Sequence, residues 1–359
     1  MLDRRSFLRS AGAAFTAALA PQSAAALEAS DALFAAAVLR DDRTFGAAIF
    51  SEDGRLIHQI DLPGRGHDVA VHGQSGRCVV FARRPGTFAV AFHMDRHTNP
   101  IVLASAEGRH FYGHGAFSAD GRLLYASEND FDYAQGKIGI YDVLAGYRRI
   151  AEFDSHGVGP HEIALMPDDR TLLVANGGIE THPDYRRQKL NLATMQPSIV
   201  LLDLATGGLK GSFALPQAMH RISLRHVAIS TDGRVFIGGQ SQASDKGRHP
   251  VLWQLSNHGE LSPLINDQSM NARIGGYVGS LKLSPDQKTL AFSSPPTGHL
   301  ITLSLATRNV VENRQIDTQG ALRWAGTVSS PSLGTSLQVD NHCSRFESAD
   351  RTGFRGHRA

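Results

Sequence analysis

Cysteine is almost missing from this chain: the two residues present, Cys78 and Cys343, make no disulfide framework, and nothing in the sequence pairs them. Aromatic side chains are 7% of the chain and charged ones 19%, with a formal net charge of +2. A balance so close to neutral gives no field that would attract nucleic acid. Beyond the N-terminal leader no stretch approaches the ~18 uninterrupted apolar residues that a membrane-spanning helix needs. There is no GxSxG, no HExxH, no CxxC or CxxCH and no Walker-type loop. Common hydrolase, zincin, c-type haem and nucleotide signatures are thereby excluded.

What the chain has instead is glycine, 36 residues of it, and 17 histidines. Its 359 residues, 42% apolar, suffice for one large closed β domain or two ordinary ones. The stretch RHFYGHGAFSADGRLLYASEND, residues 109–130, reads as a histidine-bearing lead-in, a short strand, an Asp120-Gly121 turn and a second strand. The same pattern recurs from Gly66 (GHDVAVHGQSGRCVVFARR), Pro160 (PHEIALMPDDRTLLVANGG), Arg225 (RHVAISTDGRVFIGGQ) and Val278 (VGSLKLSPDQKTLAFSS). Repeats of about 40 to 50 residues with several short strands each are the mark of a β-propeller. One domain is preferred to two for that reason, and the expectation is an all-β single propeller over residues 33–339.

Strand counting allows six or seven blades, and seven is expected, with the weakest repeat beginning near Gly320. From Leu33 the chain offers three strands that match the second to fourth of later repeats. The missing innermost strand is expected from the C-terminus, joining both chain ends in one blade so that no sheet edge is left bare. Residues 340–359 are polar and aperiodic, and are expected to be disordered or loosely attached.

The leader LDRRSFLRS, with Arg4 and Arg5, followed by an alanine-rich run, resembles a twin-arginine export signal over residues 1–26, with cleavage near Ala26. A soluble periplasmic protein is the expectation.

Four histidines, His67, His114, His161 and His226, hold the same slot before the first strand of successive repeats, and Ser280 holds it in the next. Propeller symmetry carries equivalent offsets to equivalent radii, so all four are expected at one end of the central channel. Two readings are open. They can staple blade to blade, or they can ligate a divalent transition metal, for which imidazole is suited. Candidate ligand-binding groups around them are Arg109, His110, Glu128, Asn129, Glu162, Asn176, Glu180 and His182. Glu162, directly after His161, is expected to point the opposite way if strand alternation has begun there. Glu180, His182, Asp184, Arg186 and Arg187 belong to a long insertion, residues 177–197, that reads either as a lid or docking loop or as a solvated loop.

The segments GRGHDVAV, FARRPGTFAVAF, RHFYGHGAFSADGRLLYASEND, the run from Pro160 to Ser198, LRHVAI and YVGSLKLSP together resemble the bacterial family catalogued as domain of unknown function 1513, from about Leu33 to Thr302. That resemblance implies a seven-bladed propeller of the quinoprotein amine dehydrogenase β-chain type and a twin-arginine leader. It also implies a neighbourhood of genes for imelysin-type periplasmic proteins linked to iron uptake, which are the expected partners, and no established activity. The functional expectation is an exported propeller that binds a ligand or metal at its channel mouth as an accessory in iron or other metal acquisition. The alternatives are a metal-dependent enzyme, a lactonase-like hydrolase or an oxidase, and a protein-docking scaffold.

Overall fold

Short alternating runs punctuated by Asp–Gly turns leave the chain little choice but a stack of small antiparallel sheets. The computed structural model describes residues 21–29, 32–51, 54–94, 99–185, 188–256 and 258–315, with strand pieces at 2–3, 321–325, 336–340 and 345–346. Arg4, Arg5, Arg186, Arg187, Gly320, Cys343 and most of the C-terminal tail lie outside the described residues.

Among the described residues there are six blades. Blade 1 comprises Ala32–Arg40, Phe45–Ser51 and Leu56–Leu62, and blade 2 runs through Gly66–His72, Arg77–Ala82, Phe88–His93 and Ile101–Ala104. Blade 3 is built from Arg109–Phe117, Leu123–Asp130, Gln135–Asp142 and Arg148–Asp154; blade 4 from Pro160–Leu165, Thr171–Asn176, Ser198–Asp203 and Leu209–Ala214. Ile222–Ile229, Val235–Ser241, Leu252–Leu255 and Leu261–Pro263 form blade 5, and Ser280–Leu283, Thr289–Ser294, His299–Ser304 and Val310–Gln315 form blade 6. The expected seventh blade is corrected. Among the described residues the last repeat contributes a two-stranded sheet, Ala321–Ala325 with Ser336–Asp340, because its sequence lacks the polar turn and the four evenly spaced apolar runs of the others. On the open edge of Ala32–Arg40 lie two two-residue pairings, Leu2–Asp3 antiparallel and Arg345–Phe346 parallel.

The recurring turn explains the recurring hairpin. In blade 3 the Ser118 hydroxyl donates to Asp120 Oδ1 at 2.6 Å, Asp120 also accepts from the Arg122 amide, and Gly121 takes φ +68°. Ser230, Asp232 and Gly233 repeat this in blade 5, and Ser284 with Asp286 in blade 6. The core sits between blades. Phe81 of blade 2 meets Phe111 of blade 3 edge to face at 5.6 Å, within a cluster drawn from both sheets. Second strands such as Thr171–Asn176 are buried throughout, whereas the fourth strand of blade 3 is largely exposed. This gradient fixes the first strands as the innermost.

A helix, Pro21–Ala29, lies against blade 1 with Ala26 and Leu27 buried and the Ser23 hydroxyl donating to Leu56 O, so the expected cleavage point falls inside it. Among the described residues no helix is long and apolar enough to cross a membrane.

Candidate functional site

The four repeat-start histidines converge. Ring centroids of successive blades are 4.8 Å (His67–His114), 4.7 Å (His114–His161) and 4.9 Å (His161–His226) apart, with diagonals of 5.9 Å (His67–His161) and 5.8 Å (His114–His226). Ring nitrogens of His67, His114 and His161 lie within 4.8 Å of one another. Three of the histidines are buried and His67 is half-buried, so His67 marks the open side.

The inner strands achieve this by breaking register. In blade 2 the pairing shifts between Gly66 and Val69, in blade 3 between Phe111 and Gly115, in blade 4 between Pro160 and Glu162, and in blade 5 between Leu224 and His226. A β-bulge inserts a residue that the ladder does not hold and re-aims side chains, which is why bulges gather at sites. Every histidine sits in or directly beside one. The bulge also corrects the expectation for Glu162. With His161 as the extra residue, strict alternation fails, and Glu162 turns toward the cluster instead of away from it. Gly113 makes room for the packing: its φ is +106°, and a Cβ there would lie 2.4 Å from His67 Cδ2.

Carboxylates orient two of the rings. His114 Nδ1–H donates to Asp68 at 3.1 Å and His226 Nδ1–H donates to Glu162 at 2.9 Å, each to the blade before it. An ionised carboxylate only accepts, so Nδ1 must carry a proton, and in the neutral ring Nε2 then presents the lone pair. Nε2 of both rings, and Nδ1 of His161, are buried without a hydrogen-bond partner among the described residues. The stapling and ligating readings are therefore compatible, one ring nitrogen serving each.

Burial, then the nearby positive groups His114, Arg225, His226 and His67, hold His161 neutral, well below the usual imidazole range. Burial likewise lowers His226, although Glu162 opposes it. For His114 burial is outweighed by the bond to Asp68 and its charge, which raise it. Burial works to raise the Glu162 carboxyl, but the His226 bond, together with the charges of His226 and Lys282, keeps it below the usual carboxylate range.

The other candidates go elsewhere. Arg109 and Glu128 belong to a chain of alternating charges in blade 3. Glu128 accepts from Tyr141 (2.6 Å) and Arg149 (2.9 Å), Arg149 reaches Glu152 (2.7 Å), and Glu152 pairs with Arg109 (3.0 Å), which also meets Asp130 (3.3 Å). Gly139 leaves the space that the Glu128 carboxylate fills. Asn176 donates to Ser155 O and ties the loop entering blade 4. His110 and Asn129 hold the insertion: His110 Nδ1–H donates to Phe111 O, its Nε2 accepts from Asn129 Nδ2, and Asn129 donates also to Thr181 O. Within the insertion the Glu180 amide donates to Asn191, and His182 stands between Asp132 (3.6 Å) and Asp184 (3.7 Å).

The insertion follows Asn176, which pairs with Pro160 at the end where the inner strand begins. It therefore emerges at the histidine end of the channel. Sequence reasoning passed over Asp68, Arg225, Lys282 and Tyr112. A signal for Asp68 was present: His67-Asp68 and His161-Glu162 place a carboxylate after the histidine in alternate repeats.

The family described as "Protein of unknown function (DUF1513)" matches residues 60–353. No curated protein matches the chain. Among solved structures, Kuenenia stuttgartiensis hydrazine synthase is similar with a TM-score of 0.58 at 13% identity, over 80% of this chain and 88% of that one. A structure of the mitotic checkpoint complex is similar with a TM-score of 0.53 at 14% identity, over 79% and 80%. At such identities the likeness concerns the fold alone.

Proposed function

The chain belongs to the DUF1513 family, whose description assigns no activity, and from the geometry of its channel mouth we propose that it binds a divalent transition metal through His67, His114, His161 and His226. The observation that carries this reading is the set of buried ring nitrogens: three histidines within 4.8 Å, with unpartnered Nε2 atoms on His114 and His226 whose opposite nitrogens are fixed by carboxylates. A histidine that donates its other N–H to a carboxylate is the usual outer support of a metal ligand. When bound, the ion supplies Lewis acidity or a holding site; Asp68 and Glu162 fix the tautomers and keep the rings turned inward.

Export by the twin-arginine route to the periplasm belongs to the same proposal and rests on Arg4, Arg5 and the alanine-rich leader. A role as an accessory in iron or other metal acquisition, beside imelysin-type proteins, rests on the sequence resemblance. Ring closure through the chain ends is supported by the pairing of Arg345–Phe346 with Leu39–Arg40. An enzymatic reading is favoured by one feature: three ligands with an open side at half-buried His67 match the make-up of catalytic zinc sites. The position of the insertion at the same end suits a docking role.

The test is a titration of chelator-stripped protein with Zn(II), Co(II) and Ni(II). One ion per chain is expected, lost in His161→Ala without loss of the cooperative unfolding transition. Stripped protein that takes up no ion, or a variant that binds like the wild type, overturns the reading.

A further inference from the structure

The inner strand of blade 3 carries both a ring of the histidine cluster and a grip on the insertion. Its ladder pairs Phe111 with Glu128 and Gly115 with Ala126, so that Tyr112, Gly113 and His114 stand opposite the single residue Ser127. Such a bulge is backbone that the ladder does not hold. Gly113, at φ +106°, is its centre, and the Ser127 hydroxyl donates to His114 O at 3.0 Å. His114 turns its ring into the cluster, with centroids 4.8 Å from His67 and 4.7 Å from His161. Tyr112, two residues away and buried, puts its hydroxyl 3.4 Å from Thr181 Oγ1 in the insertion.

Tyr112 meets the insertion at its root. The Gly177 amide donates to Gly159 O and the Gly178 amide to Val158 O, both at 2.8 Å, and Ile179 and Thr181 are buried. Gly159 lets the tyrosine hydroxyl in, since a Cβ there would lie 3.0 Å from Ile179 O and 3.4 Å from Tyr112 Oη. Past the root, the Glu180 amide donates to Asn191 Oδ1 at 2.8 Å and the Leu190 amide to Glu180 O at 3.1 Å, so Glu180 ties the outgoing half of the insertion to the returning half. A second hold on Thr181, from Asn129 Nδ2 to its carbonyl at 3.0 Å, comes from the regular ladder beside the bulge, where Asn129 pairs with His110. Tyr112 is the hold that shares its unpaired backbone with a cluster histidine.

His114 Nε2 is buried without a hydrogen-bond partner among the described residues, and an unsatisfied buried acceptor is costly. The ion-free chain escapes that cost by letting the bulge move. A bound ion removes it only while the ring faces the cluster, and a ligand that prefers one of two arrangements shifts the population toward it. We propose that the blade 3 bulge couples the histidine centre to the insertion: the ion fixes His114, the bulge then fixes Tyr112 against Thr181, and the root of the insertion, residues 177–181, is firm with metal bound and loosened without it. This rests on the metal reading above and adds the regulation of that site. Coupling is reciprocal, so a firm root must in turn tighten the metal.

The experiment measures hydrogen exchange by mass spectrometry on the full chain, chelator-stripped and loaded with Zn(II). Exchange at the Gly178, Glu180 and Leu190 amides should slow by about tenfold on loading, a coupling of ordinary size. The Gly121 and Gly233 amides, in turns at the other end of the channel, should not change. Tyr112→Phe and Thr181→Val each remove one side of the contact and touch no metal ligand. Both should still bind Zn(II), lose most of the slowing at the insertion, and bind the ion more weakly by a factor similar to the protection lost. Zn(II) binding that leaves exchange at the insertion unchanged overturns the inference and leaves the metal reading standing. Full slowing retained in both variants, or equal slowing at Gly121 and Gly233, overturns the route through the bulge. Absence of Zn(II) binding takes down both readings.

Discussion

His226 donates from Nδ1 to Glu162 Oε2 at 2.9 Å, joining blade 5 to blade 4 while leaving Nε2 of the same ring buried and unpartnered. The identical relation joins His114 to Asp68 two blades earlier, at 3.1 Å. One nitrogen of each ring fastens neighbouring blades, and the other faces the cluster. Removing the carboxylate charge while keeping the shape separates these roles. Asp68→Asn and Glu162→Gln should each lower metal affinity by about 10- to 100-fold, the usual cost of losing an outer-shell carboxylate. Competition titration against a chromogenic chelator reads this, and affinities within twofold of the wild type would show that the carboxylates serve only as staples.

Gly113 sets the spacing of the first two histidines. Gly113→Ala forces a side chain onto a backbone at φ +106° and places its Cβ 2.4 Å from His67 Cδ2. The strained backbone should cost on the order of 1–3 kcal/mol, and the displaced ring should weaken metal binding as well. Urea denaturation and a metal titration on the same preparation test both effects; a variant unchanged in both would mean that the His67 ring is not held where it is described.

The propeller was legible in the sequence because the physical devices that make it are local. Ser118, Asp120 and Gly121 spell their turn within four residues; all three letters return from Ser230, and the serine and aspartate return from Ser284. Convergence of His67, His114, His161 and His226 was legible for the same reason, since equal offsets in equal repeats land at equal radii. The blade count was not, because the repeat after Gln315 loses its periodic signal and forms only a two-stranded sheet among the described residues. The orientation of Glu162 was hidden by the bulge at His161, which breaks the two-residue period on which strand reasoning depends. Glu128 misled for another reason. Its position at a strand end gave no sign that Arg149, 21 residues on, would be its partner.

That Glu128 pair yields a stability prediction. Glu128 is fully buried, and Arg149 is the cation that compensates it. Arg149→Ala should cost about 3 kcal/mol or more, because it strands a buried carboxylate. Much of that loss should return in the double variant Glu128→Gln with Arg149→Ala. Chemical denaturation of the two variants measures it, and a double variant no more stable than Arg149→Ala would contradict the pairing.

His110 gives a pH dependence outside the cluster. Burial, with smaller effects from the charges of Arg84 and His182, lowers its pKa from 6.5 to about 4, while its bond to Phe111 O opposes the shift. Below pH 6.5 the unfolded chain takes up a proton at this ring that the folded chain refuses until about pH 4. Stability is therefore complete above 6.5, falls as pH drops through this window, and levels off below it, the loss being on the order of 3 kcal/mol. His110→Gln removes that increment. From pH 7 to pH 4 the denaturation midpoint of the wild type should fall relative to that of the variant, and parallel curves would contradict the assignment.

The most direct test of the central claim is anomalous diffraction from crystals of chelator-stripped protein soaked with Zn(II) and measured on both sides of the zinc edge. The account predicts one dominant anomalous peak among His67, His114, His161 and His226, at about 2.0–2.1 Å from at least three ring nitrogens, and no such peak in His161→Ala. Strong peaks confined to surface histidines, with none inside the cluster, would contradict it.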